Sequence, residues 1–299
     1  MITIFTRSHD SMMLIQLKGN FGFEGQTRAF QDDFRSELGS HGWQYNRLSF
    51  PSQNAILILR VIMLNICLLG AFDVMHEGRR LHISGRSVQS LFAYLVLNNG
   101  IPHRREKLAK MLWPDSVETT ARENLRHTLW RIRKAFPKHL SSVYLSTDDF
   151  TIAFEYSAKC WVDVATLKDA DTCKGANDLI ENLSVYQGEL LPGFDDEWVI
   201  LEREYLNFVF EHNMARLMSM LKTEKRWLDI LDWGERWIAF GQRPEPAYRA
   251  LMLAHMKKGE MSKVGEAYTR CVRSLNEIGL EPSEQTRILY ERLKGGKPL

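Results

Sequence analysis

The sequence predicts an α+β domain of the winged helix-turn-helix type followed by an all-α, tetratricopeptide-like helical repeat domain. Three observations carry this reading. A short antiparallel sheet, three helices and a hairpin follow one another between Leu64 and Phe154. The third of those helices, Thr119–Phe136, is apolar along one stripe and basic on the other side. Further on, a helix–Gly–Pro–helix pattern recurs at an offset of 38 residues.

The first 62 residues form an unassigned amino-terminal extension. Gly19, Gly22, Gly25, Gly39 and Gly42 interrupt the stretch, and neither a helical nor an alternating period persists. Met63 stands as an alternative start of the functional chain. From there, Leu64–Leu69 and Phe72–Met75 are rich in strand-formers, His76-Glu77-Gly78-Arg79 reads as a turn, and Leu81 and Ile83 alternate with His82.

A first helix follows over Ser87–Asn98, with Leu91, Tyr94, Leu95 and Val96 at helical spacing and Gly100 just past its end. His103–Leu112 is a second helix, turning Leu108, Met111 and Leu112 inward and stopped by Trp113-Pro114. In Thr119–Phe136, Leu125, Leu129, Ile132 and Phe136 fall at i, i+4, i+7 and i+11, which places them on one face. The other side displays Thr120, Glu123, His127, Trp130, Arg131 and Lys134, flanked by Arg122, Asn124, Arg126 and Arg133. Val143–Ser146 and Phe150–Phe154 then alternate around Thr147-Asp148-Asp149, forming the hairpin.

Charge sharpens the division. The whole chain carries a formal +2, from 39 basic and 37 acidic side chains. Residues 63–160 hold 14 basic against 9 acidic, whereas residues 161–299 hold 19 against 23. A basic block joined to an acidic one suggests a part that meets phosphate and a part that meets something else. A basic helix in this position matches the major groove of double-stranded DNA, which admits one α-helix. Asn124, His127, Thr128 and Arg131 are the candidates for base edges, with His127 and Arg131 first because they lie furthest from the apolar stripe. Arg122, Arg126, Arg133 and Lys134 are candidates for phosphate, joined by Arg104 and Arg105 at the start of the second helix. Alanine at Arg131 should then relax preference at one base pair, while alanine at Lys134 should weaken all sequences alike.

Behind this block, Asp195-Asp196 opens a long helix in which Trp198, Leu201, Tyr205, Phe208, His212 and Ala215 form a stripe expected to pack against neighbours. Phe240-Gly241-Gln242-Arg243-Pro244 is echoed by Ile278-Gly279-Leu280-Glu281-Pro282, and Tyr248-Arg249-Ala250-Leu251 by Thr286-Arg287-Ile288-Leu289. Gly259 reads as the turn between paired helices, and Trp227, Trp233, Trp237, Tyr248 and Tyr268 read as packing between helices.

Other classes are excluded on specific residues. Cys67, Cys160, Cys173 and Cys271 are isolated, which speaks against a disulfide framework or zinc site and suits a reducing cytosol. Ala55–Leu69 is the most apolar run, but Arg60 and Asn65 interrupt it, and it is shorter than the roughly 20 residues a spanning helix needs. The protein therefore reads as cytoplasmic. No phosphate-binding loop, nucleophile elbow, His-Glu-x-x-His or dinucleotide fingerprint occurs, and helix capping accounts for Asp195-Asp196-Glu197. No enzyme and no cofactor is expected.

The run from Gly85-Arg86 to Phe136 contains Glu106-Lys107-Leu108-Ala109, Leu112-Trp113-Pro114 and Ala121-Arg122-Glu123-Asn124-Leu125-Arg126, and it resembles the OmpR-like winged helix of the SARP family of bacterial activators. Tyr186-Gln187-Gly188-Glu189-Leu190-Leu191-Pro192-Gly193, Glu197-Trp198 and Glu202-Arg203-Glu204 resemble the opening of the bacterial transcriptional activator domain of that family, and Gly259-Glu260, Tyr268-Thr269-Arg270-Cys271 and Leu280-Glu281-Pro282 its close. The resemblance implies sequence-specific DNA binding at promoter-proximal direct repeats, commonly by two protomers. It also implies contact of the helical domain with RNA polymerase or a second protomer. Residues 63–158 would be the DNA-binding domain and 159–299 the activator domain. The sequence departs from the family at the hairpin tip, where Asp148-Asp149 replaces the usual glycine and would repel phosphate. Gln242-Arg243-Pro244 replaces a Leu-Asp-Pro step. The competing reading is a helical-repeat scaffold without specific DNA binding, supported by that acidic tip alone.

Overall fold

The computed structural model describes residues 2–8, 11–17, 64–137, 143–155 and 160–295. Strands β1 (Ile2–Ser8) and β2 (Ser11–Leu17) pair antiparallel, from Ile2 opposite Leu17 to Ser8 opposite Ser11. The rest of the unassigned extension, and Met63, lie outside the described residues.

Strands β3 (Leu64–Cys67), β4 (Asp73–His76) and β5 (Arg79–Arg80) form the expected antiparallel meander, with Glu77-Gly78 as a two-residue turn between the paired His76 and Arg79. Helices α1 (Arg86–Leu97), α2 (Arg105–Leu112) and α3 (Glu118–Ala135) follow, then the hairpin β7 (Leu145–Thr147) and β8 (Thr151–Phe154). The α3 stripe is the core face: Leu125, Leu129, Ile132 and Phe136 are all at most 4% exposed. Phe92 of α1 lies at the centre, its ring 5.5 to 6.1 Å from those of Phe72, Phe136 and Phe154. Burying apolar area of this kind is the main stabilising term of a small domain.

Three expectations need correction. His103 and Arg104 do not begin the second helix but form a strand, β6 (His103–Arg104), paired with β8. A strand that the alternation did not show, β9 (Cys160–Val162), lies parallel to β3, so the sheet order is β5-β4-β3-β9. The third concerns the long helix described below.

Strand β9 runs directly into α4 (Asp163–Asp169), and the junction with the helical part is tight. The Asp163 carboxylate accepts the Leu68 and Leu69 amides at 2.7 and 2.8 Å. Leu191 donates its amide to the Leu68 carbonyl, and Gly70 donates its own to the Glu189 carbonyl. Gly70 has φ +82, and a Cβ there would stand 2.6 Å from the Gln187 carbonyl oxygen, so only glycine lets the Gln187–Leu191 segment lie so close. Arg203 donates to the carbonyls of Leu190, Leu191 and Phe194, which fixes that segment from the other side.

The remaining helices are α5 (Ala176–Leu183), α6 (Glu197–Thr223), α7 (Trp227–Phe240), α8 (Glu245–Lys257), α9 (Met261–Asn276) and α10 (Glu284–Lys294). The repeat is physical as well as textual: Glu245, at the start of α8, accepts hydrogen bonds from Ser283 and Thr286 at the equivalent start of α10. Trp237 and Tyr248 are buried between helices, and Tyr268 stacks on Tyr290 with ring centroids 3.9 Å apart.

On α6 the predicted stripe packs only at Trp198, whose ring lies 5.2 Å from that of Tyr94. Leu201, Tyr205 and Phe208 are 61%, 48% and 66% exposed, and His212 and Ala215 are exposed too. The buried side chains are instead Val199, Leu206, Val209, Phe210, Met214, Leu217 and Leu221. The helix is apolar over much of its circumference, so periodicity found a stripe without showing which one packs.

Candidate nucleic-acid interface

Helix α3 presents its polar side to solvent because Ala121, Leu125, Leu129 and Ile132 turn the other side inward against α1 and α2. Arg122, Glu123, Arg126, His127, Trp130, Arg133 and Lys134 are exposed, whereas Asn124 and Arg131 are half-buried. Thr128, expected at a base edge, is 5% exposed. It falls one turn along from Asn124 and Leu125, on the inner shoulder of the helix, and this corrects its assignment to the reading edge.

Several of these cations already have work. Arg122 pairs with Glu118 at 2.5 Å and with Glu106 at 3.6 Å. Arg133 donates to the Thr147 hydroxyl and so ties α3 to the hairpin. Arg131 donates from Nη2 to the Ser84 carbonyl at 2.8 Å, which draws its guanidinium toward the start of α1. Gly85, with φ +97, makes room for it: a Cβ there would stand 3.0 Å from both terminal nitrogens. Arg105 donates to the Asp148 carbonyl at 3.0 Å, while Arg104 lies exposed on β6. Arg126 has no ion-pair partner among the described residues.

Trp130 stands 53% exposed in the middle of this face. The His127 ring lies 5.8 Å from it on one side, and Lys134 Nζ sits 4.9 Å over its ring on the other. The sequence placed Trp130 on this face without giving it a role. The signal was an apolar side chain on the polar side of the helix.

The first carboxylate of the hairpin tip is engaged within the turn. Asp148 accepts the Phe150 and Thr151 amides at 2.7 and 2.5 Å and the Thr151 hydroxyl at 2.8 Å. The Thr151 hydroxyl first, with those two amides, holds the carboxyl below the usual carboxylate range. Asp148 therefore closes the turn, as a short acidic side chain commonly does. Phe150 beside it is 73% exposed.

Contacts also join this block to the helical part. Arg86 pairs with Asp195 at 2.8 Å, and Trp198 donates its indole N–H to the Ser90 hydroxyl at 3.2 Å.

The architecture is a three-helix unit with an exposed basic third helix and a trailing hairpin, joined to stacked helix pairs. Residues 162–294 match the family model of the bacterial transcriptional activator domain. The match lies in the helical part of the chain and ends one residue short of the last described position. No curated protein matches it. Among solved structures it is similar to Mycobacterium tuberculosis EmbR in complex with a low affinity phosphopeptide, with a TM-score of 0.61 and 19% identity. That likeness covers 79% of this chain and 66% of the other, so the chain spans just under two thirds of EmbR, and at such identity what is shared is the fold. No helix among the described residues is long and apolar enough to cross a membrane.

Proposed function

We propose that the chain binds double-stranded DNA sequence-specifically, laying α3 in the major groove, and activates transcription from promoter-proximal repeats. The observation that carries this is the face of α3 itself: its basic side chains are exposed while its opposite face is core. Asn124 and His127 read base edges, with Trp130 offering an apolar surface to a thymine methyl or a sugar. Arg104, Arg126 and Lys134 neutralise phosphates, and Arg105, Arg122 and Arg133 join them by exchanging present partners. Residues 63–158 form the reading head. The acidic body, 159–299, is left free of the duplex to contact RNA polymerase or a second protomer.

A footprint on the DNA upstream of the chain's own gene and its neighbours, run as a salt series, tests this. A protected sequence that persists at about 0.15 M salt is expected. Arg126→Ala should weaken specific and non-specific binding alike and lower the salt slope by about 0.9. His127→Ala should instead cost about 1–3 kcal/mol at one base pair and leave the slope unchanged. No protection at any salt concentration, with both variants indistinguishable from the parent, would overturn the reading in favour of a scaffold.

A further inference from the structure

No other described helix exposes as many large apolar side chains as α6. Ile200, Leu201, Tyr205 and Phe208 are 42%, 61%, 48% and 66% exposed. His212, Ala215 and Ser219 are exposed too and continue the same face toward the end of the helix. A contiguous apolar patch on a folded surface marks a place that meets a partner. Its spacing fits another helix. Leu201, Phe208 and Ala215 recur every seven residues with Tyr205 and His212 between them, the seam by which one helix lies along a second. The side chains that α6 buries, from Val199 to Leu221, lie on the opposite side and leave this seam free.

The face changes along its length, and that change selects the partner. Its first half carries the bulk, Leu201 and Tyr205, and begins at the exposed Glu197. Its second half is lined by the small Ala215 and Ser219 and ends on the exposed Lys222. Turned antiparallel on a second copy about a two-fold beside Phe210, the face complements itself. Glu197 then stands opposite Lys222, Leu201 opposite Ser219, Tyr205 opposite Ala215 and Phe208 opposite His212, all within one residue of a single register. Bulk meets small and acid meets base, and the two-fold makes each pairing twice. A parallel pair would set Glu197 on Glu197 and bulk on bulk, with a gap at the far end. Neighbouring charges do not disturb the register. Glu211 accepts the Trp237 indole N–H and the Gln242 amide, and Arg216 donates to the carbonyls of Ala170 and Cys173. Glu204 falls at the rim, where solvent screens it.

We propose that this face of α6 is where two copies of the chain pair, helix antiparallel on helix. The proposal takes up the second-protomer option given above for the acidic body and does not depend on DNA binding. From Leu201 to Ser219 the face runs about 27 Å at 1.5 Å per residue, and one helix face of that length falls below the roughly 800 Å² per partner of a long-lived complex. The pair is therefore reversible and concentration-dependent.

Sedimentation equilibrium of the full chain without DNA, over roughly 1–100 μM, tests this. Wild type should pass from monomer to dimer within that range and stop at two, because a two-fold contact closes on itself. Phe208→Ala should move the midpoint upward by about tenfold or more, the scale of a central aromatic anchor. Its urea curve, taken where the chain is monomeric, should stay close to that of wild type. Glu197→Lys and Lys222→Glu should each weaken pairing severalfold by setting like charges together, whereas an equimolar mixture of the two variants should pair as wild type does. In that mixture the two reversed charges meet each other and the unaltered Glu197 and Lys222 still meet. The dimer is overturned if wild type stays monomeric to about 100 μM or grows beyond two. It is equally overturned if Phe208→Ala pairs as wild type does, or if the mixture pairs no better than either variant alone. A monomer that still protects its DNA site would sink the dimer and leave the DNA reading standing, and a dimer that protects no DNA would do the reverse.

Discussion

Replacing Asp163 with leucine is expected to destabilise the chain by about 3–5 kcal/mol, because it leaves the buried amides of Leu68, Leu69 and Val164 without their acceptor. Leu68 and Leu69 are 0% and 2% exposed, and both donate to Oδ2 of this one carboxylate, which is itself 2% exposed. Each orphaned donor costs on the order of 1–3 kcal/mol, and leucine offers neither a bond nor a matching shape. The damage falls where the two halves of the molecule are joined, since Asp163 follows β9 and opens α4 while Leu68 and Leu69 follow β3. Urea denaturation of the full chain measures it; a loss under about 1 kcal/mol would show that water or a shifted backbone replaces the carboxylate.

The same group gives a pH dependence with a definite sign. Burial pushes the Asp163 carboxyl up to about 6, and the amides of Leu69, Leu68 and Val164 only partly offset it. Its folded value therefore lies above the ordinary carboxylate value, so the fold binds the proton more tightly than the unfolded chain does. That contribution is complete below about pH 4 and is lost as pH rises through about 6, a change of roughly 3 kcal/mol for this group. Asp163→Asn keeps one oxygen and cannot ionise. Its stability should therefore fall less than that of wild type between about pH 4 and pH 7, and parallel curves would sink the assignment.

What the sequence made legible was whatever is local. Helix α3 was expected over Thr119–Phe136 and lies over Glu118–Ala135, because a core stripe and a basic face in one stretch of chain need no distant information. Strand β9 was not legible. Three residues pairing with a strand some 96 positions earlier leave no period of their own. The site shows the same division. That Asn124, His127 and Arg131 share a neighbourhood follows from helical spacing, and the structure keeps them together around one hollow. That Arg131 is held by the Ser84 carbonyl, 47 residues earlier, depends on how α1 crosses α3. The burial of Thr128 likewise depends on that crossing, and spacing alone could not distinguish an inner shoulder from an outer one.

The misread stripe on α6 turns into a contrast between two phenylalanines. Phe92→Ala should cost about 3–5 kcal/mol, since its ring is fully buried and touches three others drawn from the sheet side, the end of α3 and the hairpin. A cavity at that point removes the common support of α3 and β8, so the proposed DNA binding should fall with stability even though Phe92 is remote from solvent. Phe208→Ala removes the same atoms from a side chain that is 66% exposed and that, among the described residues, stacks on His212 of its own helix. It should change stability by no more than about 0.5 kcal/mol. Urea denaturation of the two variants side by side decides whether α6 packs by its Val199–Leu221 set or by the stripe that its spacing advertised. Equal losses would mean that the Leu201–Tyr205–Phe208 face is covered in the folded monomer, which would reverse the burial pattern of the longest helix among the described residues.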